Sequence, residues 1–312
     1  MKQVKLGHTG ERVSEFSLGT MYMGSKLGDE VSGAIIDQYI DCGGTFIDTA
    51  NNYAHWIDGC NGTESEAFLG RWFKASGKRS KVFLATKVGF DKKGVGKGLK
   101  YQQIIENCEI SLKLMQTDYI DLYYAHTDDR VTPLEESMEA FDRLHKEGKI
   151  RYLGASNYTP WRFADASNIC EQKGFIKFCC LQDRFTYLRP VPRTLDRFHI
   201  DIGDDIMDFA CDRDIPLLAY SPLLQGFYMD TTRSIPELCN GSYNLKRLEA
   251  LKKVADEIGG VSLNQLVLAW MRAQKAEIIP LISGDTPEQV SENLKALSIV
   301  LTPEQLECLN NA

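Results

Sequence analysis

Long apolar runs are missing from this sequence, and so is any excess of positive charge. Residues 1–20 are broken by Lys2, Lys5, Glu11, Arg12 and Glu15, so neither a secretory leader nor a membrane span is expected there. The net charge of −7 argues against a nucleic-acid or anionic-membrane partner, since either would want a basic face. It leaves room for a small bound anion, which needs only a few local donors. The nine cysteines are scattered, odd in number and without a CxxC pair, which suggests neither a disulfide framework nor a zinc site. They are expected to be reduced in a cytoplasmic protein, where the sequons at Asn61, Asn157 and Asn240 are chance matches. No linker rich in Pro, Gly or Ser divides the chain, so residues 1–312 read as a single domain.

What is present is an alternation. Short apolar runs that suit strands fall at 16–19, 45–48, 82–86, 119–125, 151–155, 178–182, 216–220 and 277–282. Stretches of helical period lie near 30–42, 64–76, 102–115, 134–147, 160–172, 204–212, 245–258 and 287–297, with an extra helix at 262–273. Thr132-Pro133, Thr159-Pro160 and Thr286-Pro287 each put a capping residue type ahead of a proline, as at a helix start. Eight strands each followed by a helix fit a closed (β/α)8 TIM barrel better than a doubly wound open sheet. QVKLG and RVSEF, turning near Gly10, predict an N-terminal β-hairpin at the barrel bottom. A long loop is expected at 221–245. The glycine-rich GVGKG at 94–98 follows no strand-to-helix turn and reads as a flexible rim loop, not a phosphate loop.

In such a barrel, chemistry belongs at the carboxyl ends of the strands. Asp48 ends the second barrel strand, Lys87 follows the third and His126 follows the fourth. Tyr53, five residues past Asp48, is close enough to fold back over the mouth. A strand-end Asp often caps a turn, a Lys can snorkel and a His can be a satisfied core residue. Three ionisable groups at matching rim positions make a site the better reading. A phenol titrates near ~10 and is a poor acid at neutral pH. A neighbouring ammonium favours the phenolate and is expected to lower that value, while Asp48 supplies the buried lysine's counter-charge. His126 can donate to an oxygen on which charge is growing. The set suits interconversion of a carbonyl and an alcohol, with a cofactor bringing the hydride.

The chain also resembles the aldo-keto reductases, in order and over nearly its whole length. The resemblance is carried by SLGTMYMG (17–24), FIDTANNY (46–53), LATK (84–87), DYIDLYYAH (118–126), GKIRYLGASN (148–157), LLAYSPL (217–223) and EIIPLISGDTPEQVSEN (277–293). It implies a (β/α)8 barrel that binds a nicotinamide cofactor, with a catalytic tetrad of Asp48, Tyr53, Lys87 and His126. Tyr53 would be general acid or base, Lys87 its tuner, Asp48 the lysine's partner and His126 the group that orients the substrate oxygen. The resemblance further implies that Ser156 and Asn157, with Gln182 beside them, meet the nicotinamide carboxamide. Tyr220 would stack on its ring, and Ser221, Leu223 and Gly226 would wrap the pyrophosphate. Gly19, Thr20 and Met21 would supply first-strand contacts, and Gln289, Glu292 and Asn293 would meet the adenosine end.

One departure from the family pattern concerns the adenosine 2′-phosphate of NADP, which many members meet with Arg or Lys after the eighth strand. Here that stretch is Ser283, Gly284, Asp285 and Thr286, and no basic residue lies between Leu281 and Glu292. Asp285 would repel a 2′-phosphate and accept from a free 2′-hydroxyl, so NAD(H) is favoured over NADP(H). Substrate contacts are expected from Tyr22, His55, Trp56, Phe90 and Arg184. Trp56 as a platform, with His55, Asn51 and Asn52 as hydroxyl partners, suggests a sugar-like aldehyde, aldose or polyol, hence a sugar dehydrogenase. Two other classes compete: a non-catalytic nicotinamide-binding sensor or regulatory subunit, and a metal-dependent barrel hydrolase built on Asp48, His55, His126, Asp128 and Asp129. Lys87 in the midst of those acids argues against the metal, and no metal is expected.

Overall fold

A computed structural model describes residues 1–91, 96–191 and 199–312. Two short strands, β1 (Gln3–Lys5) and β2 (Arg12–Ser14), pair antiparallel with Val4 opposite Val13. The next eight are β3 (Ser17–Gly19), β4 (Phe46–Asp48), β5 (Phe83–Val88), β6 (Ile120–Ala125), β7 (Ile150–Ser156), β8 (Phe178–Arg184), β9 (Leu217–Tyr220) and β10 (Ile278–Ile282). They form a closed barrel of parallel neighbours in the order β10-β3-β4-β5-β6-β7-β8-β9. The protein is thus a (β/α)8 TIM barrel with an N-terminal hairpin.

Helices α1 (Asp29–Asp41), α2 (Glu64–Ser76), α3 (Tyr101–Met115), α4 (Leu134–Lys146), α5 (Pro160–Lys173), α6 (Asp204–Arg213), α7 (Tyr243–Ile258), α8 (Leu263–Arg272) and α9 (Pro287–Leu294) surround the strands. A tenth, α10 (Pro303–Asn310), was not predicted. Its apolar positions are few and only Leu309 is buried, so periodicity gives little signal. α4 shows how sequence makes these elements. Leu134, Met138, Phe141 and Leu144 recur at helical spacing and are buried, Glu135 and Glu136 sit in the first turn, and Arg143, His145 and Lys146 sit in the last. Of the three expected threonine caps only Thr286 acts as one, accepting from the Gln289 amide at 3.3 Å. The Thr132 hydroxyl is drawn instead to Asp129 at 2.6 Å, and the Thr159 hydroxyl is buried without a partner among the described residues.

Strand alternation separates two cores. Outward-facing residues such as Leu18, Ile47, Leu84 and Tyr123 pack under the helices. Phe46, Phe83, Ala85, Leu122, Tyr124, Cys180, Leu218 and Ile279 fill the barrel interior, and Val4, Leu6 and Val13 of the hairpin region join them from below. Gly154 makes that filling possible, since a Cβ there would lie 2.5 Å from the Tyr124 ring. Each fully buried aliphatic or aromatic side chain of this kind contributes roughly 1.5–3 kcal/mol. Among the described residues no helix is long and apolar enough to cross a membrane.

Candidate active site

The same alternation that fills the lower barrel with apolar groups delivers polar ones to its upper end. Phe46 is followed two residues later by Asp48, Ala85 by Lys87, Cys180 by Gln182 and Leu218 by Tyr220. Asp48 and Lys87 are fully buried and ion-paired through Nζ and Oδ1. The ammonium also donates to the Thr49 carbonyl at 2.7 Å and to the Tyr53 hydroxyl at 2.6 Å, which occupies its three protons. The Tyr53 hydroxyl in turn donates to Asp48 Oδ1 at 3.1 Å. The second carboxylate oxygen accepts from Gln182 Nε2 at 2.9 Å. Ala54, directly after Tyr53 in the loop that follows β4, is held at φ 65°.

Burial sets the protonation states. The Lys87 pKa falls below its ordinary value chiefly because burial penalises the cation, with Asp48 opposing the shift. Burial and then the Asp48 charge push the Tyr53 phenol well above its usual range. This corrects the expectation of a phenol lowered by Lys87. The ammonium is already neutralised by Asp48, which also repels a phenolate directly. His126 is pushed well below its ordinary value by burial, by Lys87 and by His199. Its Nδ1 is buried without a partner among the described residues, and its backbone amide is fixed to the Val88 carbonyl at 2.8 Å.

Asn157 joins this cluster to Tyr220. Its Nδ2 donates to the His126 carbonyl at 3.0 Å and to Ser156 Oγ at 3.1 Å, and its Oδ1 accepts from the Tyr220 hydroxyl at 2.8 Å. Asn157 adopts φ 60°, and its amide is gripped by Asp183 Oδ1 at 2.7 Å. Asp183 is fully buried and held well above the carboxylate range, mainly by desolvation. The loop after β9 places Ser221, Leu224, Gln225 and Gly226 at positive φ, and within it the Leu224 and Gly226 amides donate to the Ser221 and Leu223 carbonyls at 3.3 and 2.9 Å. Ser221 and Gln225 are exposed in this loop next to Tyr220, polar groups of the kind a phosphate-bearing cofactor would meet.

The remaining predicted residues are dispersed around this centre. Thr20 is buried and donates to the Asp48 carbonyl at 3.1 Å, with half-buried Gly19 and Met21 on either side. Leu223 is half-buried and its carbonyl accepts from the Gly226 amide at 2.9 Å. Ser283 and Asp285 are exposed, with half-buried Gly284 between them. The Asp285 amide donates to Gln289 Oε1 at 2.8 Å, and Asn293 Nδ2 donates to the Ser283 carbonyl at 3.0 Å. Glu292 pairs with Lys295 at 2.9 Å. Phe90 meets His126 edge-on at 4.7 Å. Trp56 is 52% exposed and rests edge-on against His55 at 5.3 Å. Tyr22 is half-buried under the Lys26 ammonium at 4.7 Å, and Arg184 forks onto Asp201, with Nη2 to Oδ2 at 2.9 Å. Asn51 and Asn52 donate to Asn107 and to the Asp91 carbonyl.

Sequence reading missed Asp183 and His199. His199 stacks on Phe90 at 5.9 Å, but it lies in a stretch without period and its partners are distant in sequence. Asp128 is held by Arg130 and Arg162, and Asp129 by Thr132 and the Leu99 amide. Among the described residues no three His, Cys, Asp or Glu gather in a way that could hold a metal. Residues 94 and 95 of the expected rim loop lie outside the described residues, while the Gly98 amide donates to the Gly89 carbonyl at 3.0 Å.

The sequence profile of the aldo/keto reductase family matches residues 15–312, and the chain belongs to that family. It is 33% identical to the uncharacterized oxidoreductase YrpG of Bacillus subtilis, over 100% of this chain and 95% of that protein. It is 30% identical to the probable aryl-alcohol dehydrogenase AAD4 of Saccharomyces cerevisiae, over 93% and 89% respectively. An aryl-alcohol dehydrogenase of Phanerodontia chrysosporium, named for NADP(+), is 28% identical over 97% of this chain and 83% of its own length.

Proposed function

We propose that this chain interconverts a carbonyl and an alcohol with a nicotinamide cofactor, using Asp48, Tyr53, Lys87 and His126 as its proton machinery. The observation that carries this reading is the chain of contacts from Asp48 to Lys87 Nζ to the Tyr53 hydroxyl, at 2.6 Å for the last step, beneath the neutral ring of His126. The raised Tyr53 phenol is protonated at neutral pH, the form needed to give a proton to a developing alkoxide. Lys87 holds that hydroxyl in place and keeps a hydrogen bond to the phenolate left behind. His126, kept neutral by burial, is free to donate a hydrogen bond to the carbonyl oxygen without competing for the proton. When bound, the nicotinamide supplies or accepts the hydride. Tyr220 offers it a flat face, and exposed Ser221 and Gln225 on the loop after β9 offer polar contacts.

The sugar-like substrate expectation has less support than an aromatic one. Trp56 stands on the exposed part of its loop and Asn51 and Asn52 are engaged elsewhere, whereas Phe90 packs directly on His126. Several relatives carry aryl-alcohol dehydrogenase in their names. For the cofactor we propose that NAD(H) serves at least as well as NADP(H), because Asp285 is exposed at the predicted adenosine end and Lys295 is paired with Glu292. The NADP(+) in one relative's name weighs the other way.

The test is loss of reduced-nicotinamide absorbance when the chain is mixed with NADH or NADPH and an aryl aldehyde. Turnover that falls by about 10²-fold or more in Tyr53→Phe supports the reading. Unchanged turnover in that variant, or cofactor binding without turnover across a broad carbonyl panel, overturns it.

A further inference from the structure

Among the described residues, five rings fence the mouth above the Lys87–Asp48 pair. Tyr53 and His126 have centroids 6.3 Å apart at 75°, and His126 meets Phe90 at 4.7 Å and 83°. Phe90 lies face to face with His199 at 5.9 Å and 25°, and His199 stands 6.5 Å from Tyr220 at 63°. Asn157 closes the circuit by bonding both the Tyr220 hydroxyl and the His126 carbonyl. Tyr53, His126 and Tyr220 have proposed duties in proton transfer and cofactor stacking. Phe90 and His199 have none in that chemistry, yet they occupy the gap between the proton donors and the Tyr220 platform. Phe90 is also backed by the Lys97 ammonium, 5.6 Å from its centroid. His199 is exposed while Phe90 is half-buried, so the imidazole forms the solvent edge of the wall.

We infer that His199 is a specificity-determining residue: stacked on Phe90 and turned toward Tyr220, it builds the flat side of a slot that seats the ring of an aryl aldehyde. The inference rests on the carbonyl-reducing reading and goes beyond it by assigning selectivity to one residue outside the tetrad. A planar conjugated substrate can lie edge-on or offset against such rings and gain attraction beyond area burial. An aliphatic aldehyde gains only the burial. A polyol would bring hydroxyls against ring faces that cannot accept them well, leaving polar groups poorly paired. His199 touches neither Lys87 nor Asp48 in the proton chain, and its effect on His126 ranks behind burial and Lys87, so its loss should weaken the seat far more than the chemistry.

The experiment uses the full chain, reduced nicotinamide, and benzaldehyde against butyraldehyde, in wild type, His199→Ala and His199→Phe. In His199→Ala the benzaldehyde KM should rise about five- to tenfold with kcat nearly unchanged, while the butyraldehyde KM stays within about twofold. His199→Phe should restore the benzaldehyde KM. Equal effects on both aldehydes, or no effect on either, overturn the inference. Should wild type bind reduced nicotinamide but turn over neither aldehyde, the carbonyl-reducing reading fails separately. The inference is then decided by benzamide binding to the cofactor complex, read from tryptophan fluorescence. An affinity loss of about five- to tenfold in His199→Ala supports it, and no loss overturns it.

Discussion

At their amino ends the barrel strands point Phe46, Phe83, Leu122 and Leu218 at one another. Further along the same faces they carry Asp48, Lys87 and Tyr220. The lower end is closed by Val4, Leu6 and Val13, and its energy comes from contact area and shape. The upper end buries a cation, a carboxylate and a phenol together, which costs desolvation that only mutual pairing offsets. One pleated scaffold therefore serves two opposite purposes, and the switch takes one or two pleats. The lower end can afford substitution in function but not in volume, and the upper end the reverse.

The sharpest break of that contrast is at Lys87. Lys87→Met removes the support of the Tyr53 hydroxyl and strands Asp48. Turnover is expected to fall by about 10²-fold or more, and denaturant titration should show a loss of about 3–5 kcal/mol. The double variant Asp48→Asn with Lys87→Met should recover much of that stability and none of the activity. If the single variant were as stable as wild type, the buried pair would not be held as described. At the other end, Leu6→Ala should cost about 2–5 kcal/mol with kcat/KM unchanged. A matching loss of activity would show that the two ends are coupled.

A smaller effect concerns pH. The folded chain holds the His126 pKa well below its ordinary value, whereas the unfolded chain takes up that proton near ~6.5. The unfolded state therefore binds more protons in the window below ~6.5, so the His126 contribution is intact above that pH and is lost as pH falls through the window. The slope of stability against pH between about 6.5 and 5 should flatten in His126→Gln, measured by urea titration at each pH. An unchanged slope would place the acid sensitivity elsewhere.

Much of this was legible in residue order. The eight strands announced themselves as apolar runs, and Asp48, Lys87 and His126 could be placed at one rim because each ends or follows such a run. What could not be read depends on contacts between segments far apart. Gln182 reaches Asp48 across 134 positions, and the Asp183 carboxyl grips an amide 26 residues away. His199 faces Phe90 and Tyr220 from a stretch with no period, and no local signal distinguishes it from an ordinary loop histidine. The direction of the Tyr53 shift was misjudged for a related reason. Charge proximity is visible in a motif, but the depth of burial that outweighs it is a property of the closed barrel.

The barrel closes where β3 meets β10, with Ser17 opposite Leu281 and Leu18 opposite Ile282. A ribosome delivers β3 early and its closing neighbour only after most of the chain has been made. Throughout that interval the first barrel strand has an open edge available to any other extended segment. Closing the barrel therefore rests on a non-local pairing of β3 with β10, the kind of contact that leaves a strand edge open to mispairing until it forms.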